Sequence, residues 1–204
     1  MASTGRRFGR EDSETRAVLL DVAEKVMRED GYAAVTSRRV AARAGMKPSL
    51  VHYYFRTIDD LFLALLRERG RRHLERYEEV LTSSQPLHAL WALSSDPAIT
   101  TAISEFMALA NHRKAIRAEI ARHGERLRSI QVEILSRAFG ERGAKEGVLP
   151  PVVMAVFMEG ISRTLVMEES LGISSGHRES LAVVEQYLKK LEGPRKRAAR
   201  SRAA

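Results

Sequence analysis

The sequence predicts an all-α fold of about nine helices, and three observations support this prediction. Apolar residues recur at intervals of three and four through most of the 204 residues, which is the spacing of amphipathic helices. Alternating runs of β-branched residues, which are typical of strands, do not occur. Gly and Pro are sparse, at 13 and 6 residues, and they fall between the helical patterns, where they end one helix or begin the next.

The composition excludes several classes of protein. The chain contains no Cys, which rules out disulfides, thiol catalysis and Cys-ligated metal. Arg6, Arg7 and Arg10 are not followed by an apolar run, so a secretory signal is not expected. The longest dense apolar stretch, 148–158, is too short to cross a bilayer. We therefore expect a cytoplasmic protein without a membrane partner.

The positive charge is concentrated at the two ends of the chain. Of the net charge of +8, residues 1–56 supply +4, with 11 Lys and Arg against 7 Asp and Glu. Residues 193–204 supply +5, because they hold five basic residues and no acidic residue. Residues 57–192 then carry a net charge of −1. Basic ends on a nearly neutral body favour a polyanionic partner, either nucleic acid or a membrane surface.

Three helices are predicted near the N-terminus, after a polar, Arg-rich arm at 1–11 that we expect to be disordered. The first helix spans 12–30. The second follows a Thr36 N-cap and ends at Gly45. The third begins at Pro48, whose missing N–H costs nothing in a first turn. Two short helices joined by a tight Gly turn are typical of a helix-turn-helix.

Six further helices are predicted after this region, with boundaries set by apolar periodicity and by Pro or Gly at their ends. Thr57 and Asp60 form a capping-box pattern with Asp in the place of Glu. A Gly-containing loop is expected at 140–149, and a disordered basic tail at 193–204. The six helices are predicted at 58–82, 85–93, 97–110, 113–140, 150–168 and 177–192.

The second and third helices carry side chains that suit DNA. A short helix presented by such a pair fits the major groove, which is about 12 Å wide. Lys47 is placed for a phosphate. Tyr53 and Tyr54 can each donate an O–H to a phosphate while the ring packs against sugar or protein. We therefore predict a helix-turn-helix domain at 12–57 with double-stranded DNA as its partner.

The same region resembles the tetracycline-repressor (TetR) family of bacterial regulators. The resemblance rests on GYAAVTSRRVAARAGMKPSLVHYYFRTIDDLF, which runs from Gly31 to Phe62. In the family pattern a first helix ends in Gly-aromatic, Thr opens the second, a small-residue run ends in Ala-Gly, and the third helix ends in aromatic-Phe. All four features are present. The resemblance implies a transcriptional regulator whose residues 58–192 form a helical ligand-binding and dimerisation domain.

The resemblance also implies which residues contact DNA. Arg38 lies where some members of the family read a base. The remaining positions divide into a groove-facing set and a phosphate-contacting set. The groove-facing set is Lys47, Pro48, Ser49, Leu50 and His52, and the phosphate-contacting set is Thr36, Ser37, Tyr53 and Tyr54.

The chain departs from the family pattern at three positions. Lys47 stands where the family usually has a Ser or Thr N-cap, and His52 replaces a common Tyr. Ile58 replaces the usual Lys at the start of the fourth helix, and Arg56 is a candidate to supply the phosphate contact of that Lys.

The last two helices are predicted to form a homodimer interface, as the resemblance implies. The helix at 150–168 is apolar almost all round, so it must be covered on several sides, and Gly160 permits a close approach of backbones. The helix at 177–192 carries one apolar stripe. Two such helices and their symmetry mates would make a four-helix interface. The predicted interface residues are Val156, Leu181, Val184, Leu188 and Leu191.

A small-molecule effector is the second partner that the resemblance implies. Large apolar side chains on several helices are candidates to line its pocket, although the same residue types are also typical of a plain core. The abundance of Met and aromatic residues favours an apolar or amphipathic ligand. His112 and His123 are candidates to orient it. The predicted ligand-binding residues are Phe62, Trp91, Phe106, Met107, Met154, Phe157 and Met158.

An enzyme is not predicted. The Gly-containing segment 140–147 lacks the Gly-Lys-Ser/Thr ending of a phosphate loop, and no Ser lies in a Gly-x-Ser-x-Gly elbow. Glu119 and His123 lie one turn apart without the second ligand pair of a metal site, so neither metal nor cofactor is expected. The resemblance favours a repressor that binds a palindromic operator and is released by its ligand. A helical scaffold protein, or an activator with the same fold, remains an alternative.

Overall fold

The computed structural model describes residues 13–140 and 149–195. In these ranges the chain forms nine α-helices and one short 3-10 turn, Tyr32–Ala34, and no strand. The predicted all-α fold is therefore confirmed. The helices are α1 Glu14–Asp30, α2 Ser37–Arg43, α3 Pro48–Tyr54, α4 Ile58–Val80, α5 Pro86–Ser94, α6 Pro97–Ala110, α7 Lys114–Phe139, α8 Pro151–Ser170 and α9 His177–Glu192.

Most of the predicted loop and of both predicted disordered arms lies outside the described residues. These predictions concerned 1–11, 140–149 and 193–204, of which only residues 140, 149 and 193–195 are described. None of the helices in the described part of the chain is long and apolar enough to cross a membrane.

The chain divides into two compact units. The first, which we call the head unit, contains residues 13–72 and 101–123 of the described chain. The second, the body unit, contains residues 73–100 and the described residues from 124 onward. The head unit is therefore larger than a domain that ends at residue 57, because it includes the start of α4, most of α6 and the start of α7.

The head unit is built around one apolar core. Its two short α-helices bury one or two residues each, Val40 and Ala41 on α2 and Val51 on α3. The long helices supply the rest, and Phe106 and Ile116 from α6 and α7 lie in the same cluster as α1. The fully buried members of this core include Leu19, Ala23, Val26, Val40, Ala41, Leu61 and Ile116.

The body unit has a separate apolar core. It combines the C-terminal half of α4 with α5, α7, α8 and α9. The end of α9 is fixed to the start of α5, because the carboxylate of Glu192 accepts the backbone N–H of Leu87 at 2.9 Å and that of His88 at 3.0 Å. His88 Nδ1 also lies 2.7 Å from this carboxylate. Glu192 thus caps α5 in the absence of a side-chain cap from Gln85.

Candidate functional site

The helix-turn-helix is formed by α2 and α3 and by the tight turn between them. Thr36 caps α2, since its Oγ1 accepts the N–H of Arg39 at 3.2 Å. After α2, the N–H of Met46 donates to the carbonyl of Ala41 at 2.9 Å, while the Gly45 N–H donates to Ala42 at 3.2 Å. This pair of bonds is the Schellman motif. It requires a left-handed residue, and Gly45 supplies it with φ of +66°.

The predicted capping box at the start of α4 is present. The Thr57 N–H donates to Asp60 Oδ2 at 3.0 Å, and the Asp60 N–H donates to Thr57 Oγ1 at 3.1 Å. Immediately before it, the buried ring of Phe55 fixes the end of α3 in the head core. The guanidinium of Arg16 lies 5.4 Å from the centre of this ring. These contacts hold α3 in one orientation relative to α1 and α4 within the head unit.

Most of the predicted DNA-contacting side chains are exposed. Arg38, Lys47, Ser49 and His52 are all exposed, and Tyr53 is 48% exposed. The other members of the two predicted sets differ in exposure. Thr36 and Pro48 are exposed, whereas Ser37, Leu50 and Tyr54 are half-buried.

The three arginines of α2 differ in their partners. Arg39 pairs with Asp30 at 2.8 Å, and Arg43 pairs with Glu29 at 2.6 Å. Arg38 makes no hydrogen bond or ion pair with any described residue. Two guanidinium groups therefore join α2 to the end of α1, while the third is exposed and has no partner in the part of the chain that the structure describes.

Two carboxylates of the head unit form bonds between segments that lie on either side of the helix-turn-helix and segments much later in the chain. Glu105 on α6 accepts the backbone N–H of Tyr32 at 2.7 Å, directly after α1 ends. Asp59 on α4 pairs with Arg113 at 2.7 Å, and the Arg113 guanidinium also lies 5.4 Å from the centre of the Phe62 ring. Because these bonds join segments far apart in sequence, the head unit presents α3 from a rigid base.

The N-terminal region matches a known family. Residues 19–65 match the model of the tetR family of bacterial regulatory proteins. The match covers α2, α3, the turn between them and most of the head core that supports them.

Residues 19–65 therefore form a tetR-type domain.

Curated relatives match part of the chain. The HTH-type transcriptional regulator BetI of Rhizobium meliloti (strain 1021) is 38% identical to this chain over 52 residues. This match covers 26% of each chain. Matches of this kind cover only 26% to 42% of the length of the curated relatives. They support the DNA-binding domain and leave the function of the body unit open.

Solved structures of transcriptional regulators match the fold over most of the chain. A TetR transcription regulator from Haloarcula marismortui ATCC 43049 aligns with a TM-score of 0.66 at 20% identity, covering 87% of this chain and 98% of the other. A regulator from Saccharomonospora viridis, solved in complex with choline, aligns with a TM-score of 0.71 at 19% identity. That alignment covers 88% of this chain and 95% of the other. At such identities the likeness establishes the helical fold.

The predicted ligand-binding residues divide between two cores and the surface. Phe62 and Phe106 are buried in the head core. Met154 is buried in the body core, and Trp91 and Met158 pack against that core. Met107 is exposed, and Phe157 is 52% exposed. No single cluster contains all seven residues, and their role in ligand binding stays a prediction.

The predicted interface residues also fall into two groups. Val156 and Leu181 are exposed, whereas Leu188 is only 6% exposed and lies in the body core. Val184 and Leu191 pack against that core. The predicted interface set did not include several other exposed apolar residues of α8 and α9. These are Val152, Phe157, Ile161, Met167, Val183 and Tyr187.

The body unit contains a buried polar cluster that the sequence did not indicate. The hydroxyls of Tyr77 and Ser94 are 3.2 Å apart, and Gln131 Nε2 donates to Glu159 Oε2 at 2.8 Å. Burial raises the pKa of Tyr77, the nearby Glu159 charge raises it further, and hydrogen bonds with Ser94 and Gln131 oppose the shift. The four side chains come from α4, α5, α7 and α8, which explains why no local motif revealed them.

The carboxylate of Glu119 on α7 is paired with arginine. Burial raises the pKa of Glu119, but hydrogen bonds from Arg67 and Arg122 outweigh it, so the pKa lies below its usual value. Arg67 is 2.8 Å from this carboxylate. Glu119 is thus bound to two guanidinium groups. Among the described residues, no group of three or more His, Asp or Glu side chains is placed to hold a metal ion.

Proposed function

We propose that this protein is a transcriptional regulator that binds double-stranded DNA through α2 and α3. The observation that carries the proposal is the difference between the α2 arginines. Arg39 and Arg43 pair with acidic residues of α1, whereas Arg38 is exposed near the start of α2. Unpaired exposed guanidinium groups are the usual donors to guanine and phosphate. Lys47 and Tyr53 are exposed on the following helix, where they add backbone contacts.

The protein acts as a homodimer in this proposal. The exposed apolar side chains of α8 and α9 are too numerous on two consecutive helices to be scattered surface residues. A symmetric four-helix contact would cover them. Because Leu188 is part of the body core, we place the interface on the exposed residues instead. Val156, Phe157, Val183 and Tyr187 represent this interface below.

The two-fold symmetry of the proposed dimer determines the symmetry and half-site spacing of its operator. Two reading helices related by a two-fold axis bind a pseudo-palindrome whose half-sites lie about 34–36 Å apart. Repression, rather than activation, is favoured by the family resemblance alone. The effector in this proposal is a small molecule bound in the body unit, and the choline complex of the Saccharomonospora viridis regulator supports a small-molecule ligand for this fold. The effector releases the protein from DNA only if it binds the DNA-free arrangement more tightly.

Binding to DNA is tested with the intergenic duplex beside its own gene. We expect specific binding to an inverted repeat, measured by fluorescence anisotropy, with an affinity that falls steeply as salt rises. Sedimentation should show a dimer with or without DNA. A monomer that binds the duplex tightly would refute the symmetric model, and equal affinity for scrambled duplex at every salt concentration would refute specific regulation. The latter result would favour a non-specific DNA-binding or scaffold protein.

A further inference from the structure

Three buried polar atoms of the body unit lack a partner. Ser95 Oγ, Arg128 Nη1 and Gln131 Oε1 find no hydrogen-bond partner among the described residues. Folded proteins satisfy nearly all such atoms with protein groups, ordered water or ligand. Arg128 and Gln131 are three residues apart on α7, so their side chains leave the same face of the helix. One face of α7 therefore presents a donor and an acceptor inside the unit.

We propose that this face of α7 is the polar anchor of the effector site, and that the effector is a neutral amphiphile whose head group both donates and accepts a hydrogen bond. The inference rests on the proposed function, because it names the ligand class to which the regulator responds. A hydroxyl or a primary carboxamide on an apolar body has the required chemistry.

The amide of Gln131 has a fixed orientation. Its Nε2 lies 2.8 Å from Glu159 Oε2. A carboxylate accepts hydrogen bonds and cannot donate them, so the NH₂ group must face Glu159 and the carbonyl oxygen must face away. The hydrogen bond between Gln131 and Tyr77 lowers the pKa of that hydroxyl, so it also comes from the NH₂ group and leaves Oε1 without a partner. Gln131 is only 2% exposed, so solvent does not satisfy this oxygen directly. The atom opposite Oε1 must therefore be a donor.

Arg128 imposes the complementary requirement. A guanidinium can only donate, so the atom opposite Nη1 must be an acceptor. A carboxylate head group satisfies Arg128 but offers nothing to Gln131 Oε1, and it adds a second negative charge beside Glu159. A quaternary ammonium group neither donates nor accepts a hydrogen bond. Ionic head groups of both signs are thus disfavoured relative to a hydroxyl or carboxamide.

The surrounding side chains suit an apolar ligand body. On α7, Leu127, Ile134 and Leu135 belong to the body core, and Ile130 packs against it. Trp91 packs against the same core. As the single Trp of the chain, Trp91 reports changes in this unit by its fluorescence.

The test compares head groups on one apolar body. The probes are 1-decanol, decanamide, decanoate and decyltrimethylammonium, and the hexyl series repeats them to allow for size. Dissociation constants come from Trp91 fluorescence and from thermal-shift titration of the full chain. We expect decanol or decanamide, or the hexyl equivalent, to bind at least about tenfold more tightly than both ionic probes, a difference of about 1.4 kcal/mol.

Two variants remove the two proposed contacts. Gln131→Leu removes the acceptor and Arg128→Met removes the donor, and each should weaken binding of the neutral probes about tenfold or more. Ser162→Ala is the matched control, because Ser162 is buried in the same unit but its hydroxyl already donates to the Glu159 carbonyl at 3.2 Å. It should leave probe affinity unchanged. Far-UV circular dichroism checks that each variant is folded.

Each opposite result overturns the inference. These results are tighter binding of an ionic probe, unchanged affinity in a folded Gln131→Leu or Arg128→Met protein, or no probe binding at all, which would indicate that ordered water satisfies these atoms. Operator binding of the wild-type protein is measured in parallel without probe. A protein that binds decanol but fails to bind DNA contradicts the proposed function and leaves this site intact.

Discussion

The head and body units differ in which side chains they bury and which they expose. The head unit buries its apolar side chains almost completely and exposes polar side chains along α2 and α3. The body unit exposes a row of apolar side chains on α8 and α9 and buries polar atoms around α7. The head unit is thus complete as a folded structure and has polar groups available for a polar partner. The body unit lacks cover for apolar surface and partners for buried polar atoms.

The largest effect is expected from a substitution in the exposed apolar surface of the body unit. Val156→Glu places a carboxylate in the proposed α8 interface, where it would be buried without a partner. We expect self-association to weaken at least about 100-fold, because an unpaired buried charge costs several kcal/mol, and specific operator binding to fall with it. Sedimentation equilibrium measures the dimer constant. Val18→Glu makes the same chemical change at an exposed site on α1 and should leave association unchanged.

A second pair of substitutions compares a core residue of α9 with an exposed residue at the end of α8. Leu188→Ala should lower the free energy of unfolding by about 2–5 kcal/mol, because the side chain fills the body core. Urea denaturation measures this change. Leu171→Ala, at a site 74% exposed, should change it by less than about 0.5 kcal/mol. If Leu188→Ala splits the dimer without loss of stability, Leu188 is an interface residue after all.

A third pair of substitutions compares two arginines of α2 in the head unit, one exposed without a described partner and one in an ion pair. Arg38→Ala should cost about 1–3 kcal/mol of operator affinity and relax the sequence preference if Arg38 reads a base. Arg39→Ala changes the neighbouring arginine and removes a surface ion pair to Asp30. It should lower operator affinity by less than about 1 kcal/mol. Anisotropy titrations at one salt concentration compare them. Equal losses in the two variants would show that both arginines act through charge alone.

The smallest expected effect concerns the buried hydroxyl of the body unit. The pKa of Tyr77 is raised above 10.0 by burial, so the unfolded chain loses this proton at lower pH than the folded chain does. The stabilising contribution is complete below pH 10.0 and is lost as the pH rises through the folded pKa. Thermal unfolding from pH 9 to 11 should show a shallower decline for Tyr77→Phe. Tyr53→Phe, at an exposed site, should keep the wild-type decline.

Helix boundaries were predictable because single residues set them. Gly31, Pro48, Pro97 and Pro151 lie at helix ends in the structure as in the sequence. The helix-turn-helix was also predictable from single residues, because the caps and the turn between Thr36 and Phe55 are determined by residues that are close together in the sequence. Family resemblance then assigned roles to its exposed side chains.

The direction of apolar side chains in the body unit was less predictable. A periodic stripe on α9 identifies a covered face but not what covers it, and Leu188 turned out to face its own core while Leu181 faces outward. The polar cluster could not be found from sequence at all. Tyr77 and Gln131 are 54 residues apart, and only tertiary packing brings their helices together.

A DNA-reading module cut from this chain at residue 57 would lose part of its own core. Phe106, Leu109 and Ile116 are buried in the same cluster as α1, and Glu105 holds the backbone immediately after that helix. A chimeric protein that uses the proposed DNA-binding module should therefore receive two segments, 13–72 and 101–123, grafted together. Transplanting the first segment alone would leave an apolar surface where α6 and α7 had packed, and the fusion would aggregate instead of reading a new promoter.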